Sequence, residues 1–150
     1  MAVTMKGEFV LPADQATVWA RLNDAATLKT SIPGCESLEK LSDTEFAAVA
    51  RVKIGPVSAR FRGKVRLSDI DAPNSYRING EGEGGVAGFA KGGASVHLAS
   101  AASGGTQLSY DIEAQVGGKI AQLGGRLING TAKKIADEFF ANFAKSLTPT

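Results

Sequence analysis

The sequence predicts an α+β domain in which a curved antiparallel sheet of about seven strands wraps a long C-terminal helix, with two short helices after the first strand. Three observations carry that expectation. Apolar and polar residues alternate from Val57 to Leu67 and again from Leu108 to Val116, the period of a half-buried strand. After Gly117-Gly118 the period changes, and apolar or small residues recur at Ile120, Leu123, Leu127, Thr131, Ile135, Phe139, Phe143 and Leu147, the row of one helical face. Before the alternating tract, Pro12 and Asp24 are residue types that open helices.

Met5 to Leu11 has strand composition and stops at Pro12, where a first helix is expected to begin; Val18, Trp19 and Leu22 fall at helical spacing. Asp24 is placed to cap a second short helix over about 25–31, and Pro33-Gly34 ends helical structure. Phe46, Ala48, Ala50 and Val52 then alternate with Ala47, Val49, Arg51 and Lys53, and Ile54-Gly55-Pro56 is short enough to join them to the Val57–Leu67 strand as a hairpin. Folding back through Asp71-Ala72-Pro73-Asn74 returns Tyr76 and Ile78 to the inner face and sets Arg62 near Glu81 and Arg60 near Glu83.

Residues 80–93 carry seven glycines and read as a kinked, mobile connection between strands. Val96 and Leu98 resume alternation, Ser103-Gly104-Gly105 is a turn, and Leu108, Tyr110, Ile112, Ala114 and Val116 form a second inner face. One helix from about Lys119 to Leu147 would span roughly 40 Å and, with no partner helix of its length, must pack on the sheet.

At 150 residues and 15.5 kDa the chain reads as a single domain over residues 1–150, able to bury roughly 70% of its unfolded surface without a staple. One cysteine, Cys35, forms no intramolecular bridge, and no Cys/His cluster has metal-ligand spacing, so an intracellular, metal-free protein is expected. No apolar run approaches the roughly 20 residues of a membrane span, and the first residues lack the apolar core of a signal peptide, so a soluble chain is expected. A net charge of +2 makes nucleic acid an unfavoured partner. Alanine and glycine number 23 and 18; a core of such small residues leaves space, or serves tight turns and close backbone packing.

The order of elements resembles the helix-grip architecture of the START-related (SRPBCC) lipid-transfer and polyketide-cyclase superfamily. Four stretches resemble its carbon monoxide dehydrogenase G-subunit (CoxG) family: Ser-Ile-Pro-Gly-Cys-Glu-Ser-Leu-Glu at 31–39, Lys-Ile-Gly-Pro-Val and the Phe-Arg-Gly strand within 53–63, the glycine-rich 80–93, and the run from Leu123 to Phe140. That resemblance implies a non-catalytic accessory protein of a molybdenum hydroxylase, the molybdenum-dependent carbon monoxide dehydrogenase, which binds a lipophilic molecule such as a respiratory quinone in a hydrophobic cavity and helps link the enzyme to the membrane. No covalent cofactor is expected. The location implied is cytoplasmic, peripheral at the inner face of the cell membrane. Family members commonly carry a hydrophobic C-terminal extension, and this chain departs from that pattern by stopping at Leu147-Thr148-Pro149-Thr150.

Strand parity and helix phase nominate the cavity lining: Trp19, Leu22 and Ile32 from the helical segment, Phe46 and Phe61 from the hairpin, Tyr76, Ile78, Phe89, Val96 and Leu98 from the middle of the sheet, Tyr110 and Ile112 from the last strand, and Leu123 and Leu127 from the long helix. Each could equally fill a core. Tyr76 and Tyr110 are the polar handles, because an inward phenol needs a hydrogen-bond partner that a quinone carbonyl, a backbone carbonyl or a water can supply. A basic stripe of Arg51, Lys53, Arg60, Arg62, Lys64 and Arg66 either docks on anionic lipid or an acidic partner enzyme, or is a solvated outer face partly neutralised by Glu81 and Glu83.

Two other function classes compete. A cyclase or hydratase acting on an aromatic or polyketide substrate would need inward acid and base groups, whereas His97, Asp111 and Glu113 fall on the outward parity and no catalytic residue is nominated. Cys35 has no basic neighbour in sequence to activate it, and the glycines at 82–85 lack the Lys-Ser/Thr ending of a phosphate loop. A docking module with a filled core would work through the basic stripe alone.

Overall fold

The computed structural model describes residues 1–102 and 104–147. Its chain order is β1 (Ala2–Leu11), α1 (Gln15–Leu22), α2 (Ala25–Ser31), β2 (Cys35–Lys40), β3 (Glu45–Ile54), β4 (Val57–Asp71), β5 (Ser75–Glu83), β6 (Phe89–Ser100), β7 (Thr106–Gly117) and α3 (Gly125–Leu147). Short 3-10 turns at Gly85–Ala87 and Lys119–Leu123 precede β6 and α3. The seven strands form one antiparallel sheet in the order β1-β7-β6-β5-β4-β3-β2. β2 to β7 are therefore a meander, and α1 and α2 carry the chain from one edge strand to the other.

Each helix start has a local cause. Asp14 accepts from the Thr17 N–H at 2.9 Å and caps α1, so the helix opens at Gln15, three residues beyond the expected Pro12. Asp24 caps α2 by accepting from the Thr27 N–H at 3.1 Å and the Thr27 hydroxyl at 2.6 Å. The Asn142 side chain donates to the Ser31 carbonyl at 3.1 Å and ties the end of α3 to α2.

Three expectations from the sequence are corrected. The long helix does not begin at Lys119: Gly124 adopts φ +90°, a conformation L side chains rarely take, and separates the 3-10 turn from α3. Along α3 the i+4 row drifts by about 40° per step, so Ile128 and Phe143 share the buried side and Leu127 does not. The β4–β5 register is offset by two residues, pairing Arg62 with Glu83 and Lys64 with Glu81. Asp71 pairs with Ser75, so the turn closes at 72–74, later than expected, and a bulge between Ser68 and Asp71, where Asp69 has φ +50°, takes the register back by one residue. The glycine-rich 80–93 is mostly regular strand: β5 extends to Glu83, β6 starts at Phe89, and a tight turn closes between them with Gly84 N–H donating to the Gly88 carbonyl at 2.8 Å.

In the turn expected at 103–105, Gly104 has φ +89° and donates to the Ala101 carbonyl at 3.0 Å. Ser103 and the terminal Thr148-Pro149-Thr150 lie outside the described residues.

Candidate functional site

The inner face of the sheet is buried at its two ends and half-buried between them. In β1, Val3 and Leu11 are buried while Met5, Gly7 and Phe9 are half-buried; in β3, Phe46 and Ile54 are buried while Ala48, Ala50 and Val52 are half-buried. β7 repeats the pattern, with Leu108, Tyr110 and Val116 buried and Ile112 and Ala114 half-buried. On α3, Ile128 and Phe143 are buried, and Ala132, Ile135 and Ala136 between them are half-buried. The inward residues at the middle of the sheet, and those of α3 between Ile128 and Phe143, are thus less completely buried than those at the two ends.

The apolar contacts divide accordingly. One cluster gathers Leu11, Val18, Leu22, Phe46, Leu67, Tyr76, Val96, Leu98, Leu108, Tyr110 and Phe143; a second gathers Val3, Ile54, Ala87, Val116, Ile120 and Ile128. Between them the inner face offers Ala48, Ala50, Gly63, Gly80, Gly82, Gly92 and Ala94, all half-buried.

Aromatic rings line the first cluster. Phe9 stacks on Phe140 at 4.4 Å between centroids, Tyr110 stacks on Phe140 at 5.5 Å, and Trp19 meets Tyr76 edge to face at 5.2 Å. Burial pushes the Tyr76 phenol well above its ordinary value. Burial and then the Asp137 carboxylate push Tyr110 up, with Lys133 opposing them. Among the described residues neither phenol oxygen has a hydrogen-bond partner, and none of their buried side-chain polar atoms is left unsatisfied, so both hydroxyls reach accessible space.

Of the residues nominated from the sequence, Leu22, Phe46, Tyr76, Val96, Leu98 and Tyr110 belong to the first cluster, and Trp19, Ile78 and Ile112 pack against it. Phe61 and Leu123 pack against the second, and Ile32 is half-buried at the end of α2. Two nominations are corrected. Phe89 faces outward and is exposed, because alternation runs unbroken along β6 and puts it on the same side as His97; its ring covers Gly117. Leu127 is also exposed, with its Cδ2 resting over Gly55 at the rim. Phe9 and Phe140 were not nominated. The period-two series Met5, Gly7, Phe9 and Leu11 carries the signal for Phe9, and Phe140, three residues before buried Phe143, shares its side of α3.

The six basic residues lie exposed on the outer face of β3 and β4. Arg60 pairs with Glu36 at 2.6 Å and Arg66 with Glu45 at 3.5 Å, so their partners come from β2 and β3 in place of the expected β5 glutamates. An open groove of about 820 Å³ crosses this face, lined by Glu45, Lys64, Arg66, Arg77, Glu81, Lys91 and Glu113 among others. Charges of both signs in water offer little to a lipophilic molecule, so the candidate site is the inner band. His97, Asp111 and Glu113 are exposed on the outer face. Burial raises the Cys35 thiol, whose S–H donates to the Ser37 carbonyl at 3.3 Å, with Lys29 opposing the shift. Among the described residues no group of three or more His, Cys, Asp or Glu is disposed to hold a metal, and no helix is long and apolar enough to cross a membrane.

Comparison with known proteins agrees with this architecture. A conserved protein from Geobacillus kaustophilus superposes with a TM-score of 0.90 at 31% identity, over 97% of this chain and 95% of that one. A START superfamily protein from Mycobacterium smegmatis shares the fold at 13% identity, with a TM-score of 0.69 over 97% and 96% of the two chains. An uncharacterised Rhizobium leguminosarum protein does so at 14% identity, with a TM-score of 0.71 over 98% and 95%. No protein of curated function matches the sequence. The family model of the carbon monoxide dehydrogenase G-subunit (CoxG) matches residues 7–148. With the helix-gripping sheet and its START-like neighbours, that match over nearly the whole chain makes this protein a member of the CoxG family.

Proposed function

We propose that this chain is a non-catalytic accessory protein of a molybdenum-dependent carbon monoxide dehydrogenase, holding a lipophilic molecule, a respiratory quinone or a compound like it, between its sheet and α3. In this role it links the enzyme to the membrane and the respiratory chain. The observation that carries the reading is the half-buried band of small inward residues between two sealed apolar clusters. Each 100 Å² of apolar ligand surface withdrawn from water there is worth roughly 2.5 kcal/mol, so shape and apolar area supply the affinity. Tyr76 and Tyr110 supply donors for a carbonyl. The lining is formed by Trp19, Ile78, Ile112, Phe9 and Phe140 on one side and Phe61 and Leu123 on the other, with Leu127 at the rim.

A cyclase or hydratase is disfavoured, because the inward strand positions among the described residues hold no carboxylate or imidazole to move a proton. A filled-core docking module is disfavoured by the band itself. The deciding experiment is organic extraction of the natively purified protein, followed by mass spectrometry and an ultraviolet scan. Near-stoichiometric quinone or lipid is the expected result. A protein that emerges empty and also takes up no added quinone overturns the carrier reading.

A further inference from the structure

The inner face of the sheet offers protons for hydrogen bonding and almost nothing to receive one. Along β1 and β3–β7 its strand positions hold apolar residues or glycine, apart from three hydroxyls, at Tyr76, Thr106 and Tyr110, and Ser100 exposed at the end of β6. The Thr106 hydroxyl is buried and already donates to the Ala13 carbonyl at 2.7 Å. Strands β3 to β7 each have a neighbour on both sides, so their carbonyls are engaged in the ladder, and the Met5 thioether accepts only weakly. On α3, Ile128, Ile135, Ala136, Phe139 and Phe143 add no polar group.

Tyr76 is 6% exposed, and its hydroxyl has no hydrogen-bond partner among the described residues. Burial alone raises its phenol, with no charged group contributing, whereas the charges of Asp137 and Lys133 both act on Tyr110. Trp19 meets the Tyr76 ring edge to face at 5.2 Å, and its indole N–H is also without a partner among the described residues. That group can only donate. The neighbourhood of Tyr76 therefore holds two free donors, no charge, and one side-chain acceptor, the phenol oxygen itself.

The two redox forms of a quinone use such a neighbourhood differently. A quinone carbonyl only accepts, so phenol and indole can both donate to it and no proton is left over. The quinol, two electrons and two protons richer, brings a hydroxyl proton of its own. If the phenol oxygen accepts that proton, the phenol proton has no acceptor; otherwise the quinol proton is the one stranded. Either way one enclosed donor goes unpaired, which costs more than an ordinary hydrogen bond contributes.

We propose that the inner face beside Tyr76 selects the oxidised, carbonyl form of a quinone over its quinol, so that the chain takes up the electron acceptor and lets go of the reduced form. This rests on the carrier reading and deepens it by naming the redox state carried.

The test is anaerobic calorimetric titration of the full chain with decylubiquinone and, separately, with decylubiquinol. The quinone is expected to bind at least ~5-fold more tightly. Tyr76→Phe removes a donor and an acceptor together, so it is expected to weaken both forms and keep their ratio within about 2-fold of wild type. Ile78→Gln, on the same face of β5, supplies a side-chain carbonyl that can receive the quinol proton. It is expected to tighten quinol and bring the ratio close to one, with unchanged circular dichroism. Val96→Thr, opposite Tyr76 in the β5–β6 register, serves if the glutamine variant misfolds. Equal affinity for the two forms in wild type, tighter binding of the quinol, or a ratio that neither added acceptor moves overturns the redox preference and leaves the carrier reading standing. Wild type that binds neither form overturns both.

Discussion

The phenol of Tyr110 lies flat across Gly7 of the neighbouring strand. A Cβ at residue 7 would sit 2.6 Å from the hydroxyl oxygen and 2.8 Å from the ring carbon that bears it, so the glycine is a notch that lets the ring lie down and stack on Phe140. Gly7→Ala is expected to displace Tyr110, loosen that stack and cost about 1–3 kcal/mol of stability, read from denaturant unfolding. It should also weaken quinone binding. An alanine variant with wild-type stability would show that the ring has another place to go.

Tyr76 tests the polar handle apart from the packing. It has no hydrogen-bond partner among the described residues, so Tyr76→Phe removes no internal bond and is expected to leave stability within about 0.5 kcal/mol. Loss of a donor to a ligand carbonyl should weaken quinone binding by roughly 5- to 10-fold. Because burial holds this phenol far above its ordinary value, its contribution should be flat from roughly pH 6 to 10. Fluorescence titration of both proteins across that range checks the point.

Ala132 distinguishes an open band from a packed core. It lies one i+4 step beyond Ile128 on α3, half-buried and in neither apolar cluster. If the space is open, Ala132→Trp fills it with little change in stability and abolishes ligand uptake. In a filled core the same change forces strain of about 1–3 kcal/mol or more. A thermal melt and an uptake assay on the one variant separate the cases. Leu127→Trp, at the rim, is expected to slow uptake while the fold is retained.

Asp24 gives a pH signature for the helical segment. Its hydrogen bonds from the Thr27 hydroxyl and N–H hold its carboxyl below the usual carboxylate value. The cap therefore stabilises fully above the unfolded value near pH 4 and is lost as pH falls through the lower folded value. Asp24→Ala is expected to cost about 1 kcal/mol at neutral pH. The gap between variant and wild type should close in acid. A gap that stays constant down to about pH 2 would assign the loss to something other than the charged cap.

Several features were legible in the sequence because they depend on local chemistry. The period of two in β3, β4 and β7 assigned inward and outward faces correctly, since side chains on a strand alternate wherever it ends up. The cap at Asp24 and the change of period after Gly118 placed α2 and the approach to α3, and the stretches resembling the CoxG family reached the family itself. Phe89 failed because the glycines around it looked like an interruption, whereas β6 runs straight through them.

What the sequence by itself determined is therefore the order of elements and the face each strand residue takes, because propensity, capping and period act over a few neighbours. Tertiary structure alone decided the β4–β5 register, through where the turn closes between Asp71 and Ser75, and where α3 begins, after the left-handed Gly124. It also decided which residues share a cluster: Phe46, Tyr110 and Phe143 meet at one end of the sheet and Ile54, Ile120 and Ile128 at the other, from positions far apart in the chain.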